Sequence, residues 1–190
     1  MSEICIGLVA DSHIPDRRRG LHPDLLQRLR EEQVQLILHA GDISLPFVLR
    51  ELEAIAPVQA VRGNYDFFFW PSLPMTRLIE LGGVRIGMTH GHGSLAGHVR
   101  DKFNFLRGRY KGVSFFTQRA VDLLPEDVDV VVFGHTHFPL NEQRGRQLIV
   151  NPGSCSYHLR FREGRPSFGL LRIAEGRASV EIVELDPARF

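Results

Sequence analysis

Two histidines one residue apart, His135 and His137, stand directly behind the apolar run 129–133 (DVVVF) and Gly134, where a buried strand should end. Imidazoles in that position are either turn residues or nitrogen donors aimed at a ligand. Other strand ends decide between the two. The run 4–10 (ICIGLVA) ends at Asp11-Ser12-His13, the run 35–40 (QLILHA) at Gly41-Asp42, the run 57–62 (PVQAVR) at Gly63-Asn64, and VRIGMT at His90-Gly91-His92. At five strand ends the chain presents a carboxylate, an amide or an imidazole, usually beside a glycine that permits close backbone approach. In α/β sheets the crevice beyond the carboxyl ends of the strands is where ligands bind.

Asp11, Asp42 and Asn64 offer oxygen, and His13, His90, His135 and His137 offer nitrogen, which is more than one ion needs. The set suits two divalent transition-metal ions of intermediate hardness, manganese first, then iron, zinc or nickel, rather than calcium. No cysteine lies near these turns, which argues against a structural zinc site. Two ions roughly 3.5–4 Å apart can hold a hydroxide between them and clamp a phosphoryl oxygen during in-line displacement. A shared carboxylate must hold such ions together, and Asp42, alone in its turn, is the candidate.

The elements between the turns must bring them together. HPDLLQRLREEQ (22–33) carries Leu25, Leu26 and Leu29 among charges and reads as an amphipathic helix with Pro23 near its start. SLPFVLRELEAI (44–55) reads as a second helix with Ser44 as its N-cap. With the first three strands this is a βαβαβ order, which predicts a parallel sheet with right-handed crossovers. TRLIEL and VRIGMTH around Gly82-Gly83 read as a hairpin, and 94–125 as a helical segment. QLIVNPGS, a stretch near 157–161, SFGLLRI and ASVEIVEL supply further strands. The expectation is one domain over residues 1–190, in which a parallel half leads into a more antiparallel one.

At 190 residues, 43% hydrophobic and 24% charged, the chain can bury a core without disulfide staples. A formal net charge of +1 gives no global pull toward a polyanion, so electrostatic recognition must be local. Cys5 and Cys155 make no metal-type pair, and no secretory context supports a disulfide. The N-terminus lacks a basic signal region and no apolar run reaches membrane-spanning length. A cytoplasmic protein without a membrane partner is expected.

In order, Asp11-x-His13, Gly41-Asp42, Gly63-Asn64, His90-Gly91-His92 and Gly134-His135-x-His137 resemble the motifs of the calcineurin-like metallophosphoesterase superfamily. The short chain, GNYD at 63–66 and Asn151-Pro152-Gly153-Ser154 after a strand are most similar to its small single-domain phosphodiesterases, a subgroup related to the retromer scaffold subunit. The resemblance implies an α/β fold of two mixed β-sheets packed as a sandwich and flanked by helices. It implies Asp11, His13, Asp42 and His137 around a first metal, and Asp42, Asn64, His90 and His135 around a second. It also implies hydrolysis of a phosphate ester, above all a phosphodiester, by a hydroxide between the ions, with His92 or an arginine steadying the developing charge. Asp42, Asn64 and His92 are then the residues expected at the reacting phosphate.

In many members of that superfamily a histidine follows the metal-binding asparagine; here the residue is Tyr65. A phenol donates a hydrogen bond but does not titrate near neutrality. Esters with poor leaving groups should turn over weakly, which favours diesters with good leaving groups and counts against a phosphomonoesterase.

Other stretches are less specific. Arg17-Arg18-Arg19 either offers a guanidinium to a substrate phosphate or is a solvated loop. Asp66 either orients a neighbour or is a solvated turn residue, and His39, inside its strand, reads as a packed histidine. Residues 100–119 alternate basic side chains with Phe103, Phe105, Tyr110, Phe115 and Phe116. That pattern serves nucleotide or nucleic-acid binding, packs as an amphipathic helix with snorkelling arginines, or joins copies in a homo-oligomer. The near-neutral charge favours packing or self-association. FFFWP at 67–71 either walls the cleft or buries under that segment. A phosphate-ester substrate is the expected partner. The reading from another class is a scaffold of the same fold that binds a partner protein; against it, every expected ligand position holds a competent donor.

Overall fold

The computed structural model describes residues 3–15, 19–109, 112–156 and 165–189, and at 95, 96, 98, 102 and 105 the backbone alone. Strand β1 (Ile4–Val9) runs parallel to β2 (Leu36–His39), and β2 to β3 (Val58–Ala60). Helices α1 (Pro23–Glu31) and α2 (Pro46–Glu53) make the two crossovers that parallel strands require. β1 is buried from Cys5 onward because both of its faces are covered, so its sequence reads as an unbroken apolar run. The two-residue period still sorts its side chains. Cys5 and Val9 share a core with Leu25, Leu29, Leu49 and Leu52 of the helices, whereas Ile6 and Leu8 point the other way.

The second sheet lies on that other side. Its strands are β4 (Thr76–Leu81), β5 (Val84–Thr89), β6 (Val130–Val132), β7 (Leu140–Arg144) and β8 (Gln147–Asn151), in the order β4-β5-β6-β8-β7. Ile6, Leu8 and Leu38 meet Ile86, Met88, Val130, Val132 and Val150 between the sheets. Helices α3 (Leu95–Leu106) and α4 (Val113–Asp122) follow β5, and α4 lays Ala120 on Val131, Phe133 and Ile149 of the outer face. The last strands, β9 (Ser167–Ala174) and β10 (Arg177–Glu184), return to the first sheet, β9 pairing antiparallel with β1 and β10 with β9. The result is two mixed five-stranded sheets with helices outside them, as expected. No helix of the described residues is long and apolar enough to cross a membrane.

Several local expectations are corrected. The later half is the more antiparallel one, as expected, through β4–β5, β7–β8, β9–β1 and β9–β10, but the second sheet has a parallel centre: β5, β6 and β8 are mutually parallel, and β4 and β7 at its edges run against them. The helical segment 94–125 is two helices, separated by Gly108 (φ 71) and Gly112 (φ 83), whose left-handed torsions end and restart the chain direction. Ser44 does not cap α2. Its N–H goes to Asp66 Oδ1 at 2.9 Å, and the helix begins behind Leu45, which makes no side-chain cap. Strand β7 is a polar edge strand (LNEQR) without an apolar run to announce it. β3 is three residues, shorter than 57–62. The stretch near 157–161 lies outside the described residues.

Candidate metal centre

The carboxyl ends of β1, β2, β3, β5 and β6 meet at one edge of the sandwich. Asp11 N donates to Gly41 O at 3.0 Å and His13 N to Asp42 O at 3.1 Å, which joins the first two turns. Across the sheets, His90 Nδ1 lies 2.7 Å from Ala40 O, and His135 N donates to Asp11 Oδ2 at 3.0 Å. Turning inward directly off a strand demands unusual torsions. Asp11 (φ 53), His13 (φ 47), Asp42 (φ 55), Ser44 (φ 69), His135 (φ 69) and His137 (φ 60) all adopt left-handed backbone. Such strain costs about 1–3 kcal/mol per residue and persists where surrounding packing enforces it. The adjacent Gly134 answers a different need, since its own torsion is ordinary. A Cβ there would lie 2.8 Å from Asp11 Oδ2 and 2.9 Å from Ala40 O, so only glycine lets the β6 turn close on the β1 turn.

Two buried groups result, Asp11 with His13 and His137, and Asp11 with Asp42 and His90, each with its ligand atoms within 4.8 Å of one another. His13 Nε2 lies 3.0 Å from His137 Nε2 and 3.5 Å from Asp42 Oδ2. His90 Nε2 is 3.4 Å from the same Asp42 oxygen and 3.0 Å from Asn64 Oδ1, which is also 3.0 Å from His135 Nδ1. All seven side chains picked from the strand ends therefore sit together. Asp42 Oδ2 faces both halves of the cluster. Asp11 Oδ1 does so too, 3.3 Å from His137 and 4.0 Å from His90.

Burial alone would push the Asp11 carboxyl up, but His137, His13 and His90 overcome it and hold it well below the usual range. At Asp42, burial is overcome in the same way by His90 and His13. Burial would lower His90, yet Asp42 and then Asp11 raise it to about 9. At His13 burial again gives way to the two carboxylates, and the ring is raised. Burial and the neighbouring His90 hold His135 well below its ordinary value.

This donor set fits divalent cations. His90 faces an oxygen on each side, Ala40 O at Nδ1 and Asn64 Oδ1 at Nε2. A neutral ring carries one N–H, so one of those oxygens meets a lone pair unless a proton or a cation lies between. Nitrogen and oxygen donors without a thiolate suit ions of intermediate hardness. Burial pushes the Cys155 thiol up to about 12, and its Sγ donates to Ser12 Oγ at 3.5 Å.

His92 is buried at the rim, its ring centroid 5.3 Å from that of His90, and its carbonyl accepts from Arg119 at 3.0 Å. Tyr65 is exposed, with its ring edge-on to His13 at 4.8 Å, and its N–H donates to Asp42 Oδ1 at 2.9 Å. Asp66 is no solvated turn residue. It is fully buried and accepts from Ser44 N at 2.9 Å and Gly63 N at 2.8 Å, so it ties the Asp42 turn to the Asn64 turn. Asn151 braces the β6 turn by donating to Gly134 O at 2.8 Å and Thr136 Oγ1 at 3.0 Å, and Ser154 Oγ donates to Asp11 O at 2.8 Å. His39 is packed as expected, its Nε2 2.7 Å from Ser12 Oγ. In the 100–119 segment Phe116 is buried edge-on to His135 at 5.0 Å, Asp101 pairs with Arg119 at 2.7 Å, and Phe103 is exposed. Tyr110, Arg17, Arg18 and the Phe105 side chain lie outside the described residues, and Arg19 is exposed. Sequence reasoning missed Thr136, gave Arg119 no role beyond its basic-aromatic segment, and gave Asp66 and Asn151 no firm role; for Thr136 and Asp66, position beside a ligand turn was the only signal available.

Residues 4–176 match the calcineurin-like phosphoesterase superfamily domain. The chain is 34% identical to a probable metallophosphoesterase of Methanothermobacter thermautotrophicus, over 94% of this chain and 91% of that one. It is 26% identical to a phosphodiesterase of Methanocaldococcus jannaschii, over 87% of this chain and 91% of that one. In fold alone it resembles a single mutant of Vps29 from Entamoeba histolytica, with a TM-score of 0.71 and 24% identity, covering 96% of this chain and 100% of that one. The chain belongs to the calcineurin-like phosphoesterase superfamily.

Proposed function

We propose that the protein is a metal-dependent phosphodiesterase with two divalent ions, manganese foremost, one held by Asp11, His13, Asp42 and His137 and the other by Asp42, Asn64, His90 and His135. The observation that carries this is the convergence of seven donors from five strand ends on one cluster, buried at Asp11, His13, Asp42, His90 and His137, whose carboxylates stay ionised. Family membership and the phosphodiesterase among the relatives support a phosphate ester as substrate. When bound, such ions supply Lewis acidity to phosphoryl oxygens and lower the pKa of the attacking water.

The chain's own groups do the rest. Asp42 Oδ2, between His13 and His90, couples the two halves. His92, buried beside His90, donates to a phosphoryl oxygen as negative charge develops. Water adds to phosphorus and gives up a proton to solvent, one P–O ester bond breaks, and the freed oxygen leaves as an alkoxide or phenoxide that solvent protonates, while a phosphomonoester remains. Tyr65 occupies the position after Asn64, where no imidazole can protonate the leaving oxygen, so good leaving groups are favoured.

The test is hydrolysis of bis(p-nitrophenyl) phosphate and p-nitrophenyl phosphate, with added manganese, by the wild type and Asp42→Asn, with bound metal measured in both. The wild type should cleave the diester faster than the monoester. In Asp42→Asn, metal content and diester rate should fall together, the rate by about a hundredfold. A wild type that binds no metal and cleaves neither ester would overturn the proposal in favour of a partner-binding scaffold.

A further inference from the structure

A cavity of 190 Å³ opens beside the centre, lined by Arg62, Asn64, Phe67, Met75, His92 and Ser94. It shares a wall with the cluster, because Asn64 Oδ1 is the atom that lies between His90 and His135. The opposite wall is of another character. Phe67 is 43% exposed, and the Arg62 guanidinium stands 5.8 Å from its ring centroid. That guanidinium is anchored by Nη1, which donates to Pro71 O at 3.0 Å, while the backbone N–H of Arg62 fixes the main chain by donating to Pro74 O at 2.8 Å. Among the described residues no carboxylate lines the cavity, and of the guanidinium's five N–H donors the Pro71 bond takes one.

A lone exposed phenylalanine needs no explanation. One beside an anchored guanidinium, in a hollow that borders the reacting centre, forms a surface for a flat ring carrying hydrogen-bond acceptors. Size narrows the occupant. At 190 Å³ the cavity is smaller than the roughly 300–1,000 Å³ of pockets that enclose whole drug-sized ligands, so it takes one arm of a substrate. A cation at its wall disfavours an acyl chain, which would leave that cation desolvated and unpaired.

We propose that this cavity is the subsite for one ester arm of the phosphodiester, that the arm is a nucleoside, and that its base stacks on Phe67 and accepts from Arg62. This rests on the phosphodiesterase reading, and the test separates the two. Thymidine 5′-(p-nitrophenyl phosphate) and methyl p-nitrophenyl phosphate share a leaving group and differ only in the other arm. The wild type, with manganese, should show a KM about tenfold lower for the nucleoside ester, as base–aromatic stacking and one guanidinium contact would give. Phe67→Ala and Arg62→Gln should each raise that KM severalfold and leave the methyl ester's kinetics nearly unchanged, with melting temperatures near the wild type's. By calorimetry on the metal-bound protein, thymidine 5′-monophosphate should bind about tenfold more tightly than inorganic phosphate, and both variants should lose that preference.

Equal KM values for the two esters, or variants that slow both esters alike, would overturn the subsite while leaving the phosphodiesterase standing. If the wild type hydrolyses neither ester, the phosphodiesterase reading fails, and calorimetry still decides the cavity. A nucleotide preference that depends on Phe67 and Arg62 supports it, and no preference overturns it.

Discussion

Asp66→Ala removes a side chain that touches no proposed ligand side chain and yet joins two of the turns that carry them. Its carboxylate accepts from Ser44 N and Gly63 N, both in buried surroundings. Burial, then the nearby Asp42 charge, push the Asp66 carboxyl up, and the two N–H groups pull it back only in part. The side chain is therefore not stabilising as a charge; its value is in satisfying two donors. Alanine leaves both without a partner, at about 1–3 kcal/mol each, so a loss of about 3 kcal/mol is expected. For a chain of this size that lowers the melting temperature by about 6–12 °C. Asp66→Asn keeps one acceptor oxygen but turns an NH₂ toward the second N–H, and should lose about half as much. Both turns should also loosen, so manganese bound per chain, measured after dialysis, should fall in the order wild type, Asn, Ala. Melting within 2 °C of the wild type, with metal content unchanged in Asp66→Ala, would refute the reasoning that this carboxylate ties the Asp42 and Asn64 turns.

Two further outcomes follow from the same packing. His39 is fully buried, and burial first of all lowers it from an ordinary 6.5 to about 4. Between those values the unfolded chain takes up a proton that the folded one refuses, so stability present at neutral pH is lost as pH falls from 6.5, by about 3 kcal/mol in total. Urea unfolding of chelator-treated protein from pH 7.5 to 4 should show that slope in the wild type and a shallower one in His39→Gln; parallel curves would contradict it. Gly134→Ala places a methyl against Asp11 Oδ2 and Ala40 O, where overpacking costs about 1–3 kcal/mol. Thermal melts should record that loss together with lower metal content, and retention of full metal would mean the turn can shift without displacing Asp11.

Why so much of this site was readable in advance follows from its construction. Each donor sits at a strand end, and a strand buried on both faces advertises itself as an apolar run. Gly41, Gly63 and Gly134 mark turns where the backbone passes too close to a neighbour to carry a Cβ. Where such local signals were absent, reading failed. Ser44 looks like an N-cap because serine is a preferred capping residue, but the helix starts one residue later, behind Leu45, while Ser44 takes left-handed backbone (φ 69) within the turn that Asp66 holds. Strand β7 has no apolar period to betray it, since an edge strand can be polar throughout. The direction of β8 was equally hidden, because parallel and antiparallel neighbours place the same demands on an apolar strand.

Donor types, their order and their placement at strand ends belong to the sequence, because strand period, turn chemistry and ligand hardness are properties of a few adjacent residues. Which donors face one another is not local. His13 and His137 are separated by 124 residues and their nitrogens stand 3.0 Å apart, which only the stacking of one sheet on the other can arrange. The same packing decided that Asp66 is buried while Phe67, the next residue, is exposed against Arg62. Burial and distance depend on the whole chain's shape, and they convert a list of capable side chains into a charged cluster with a cavity at its side.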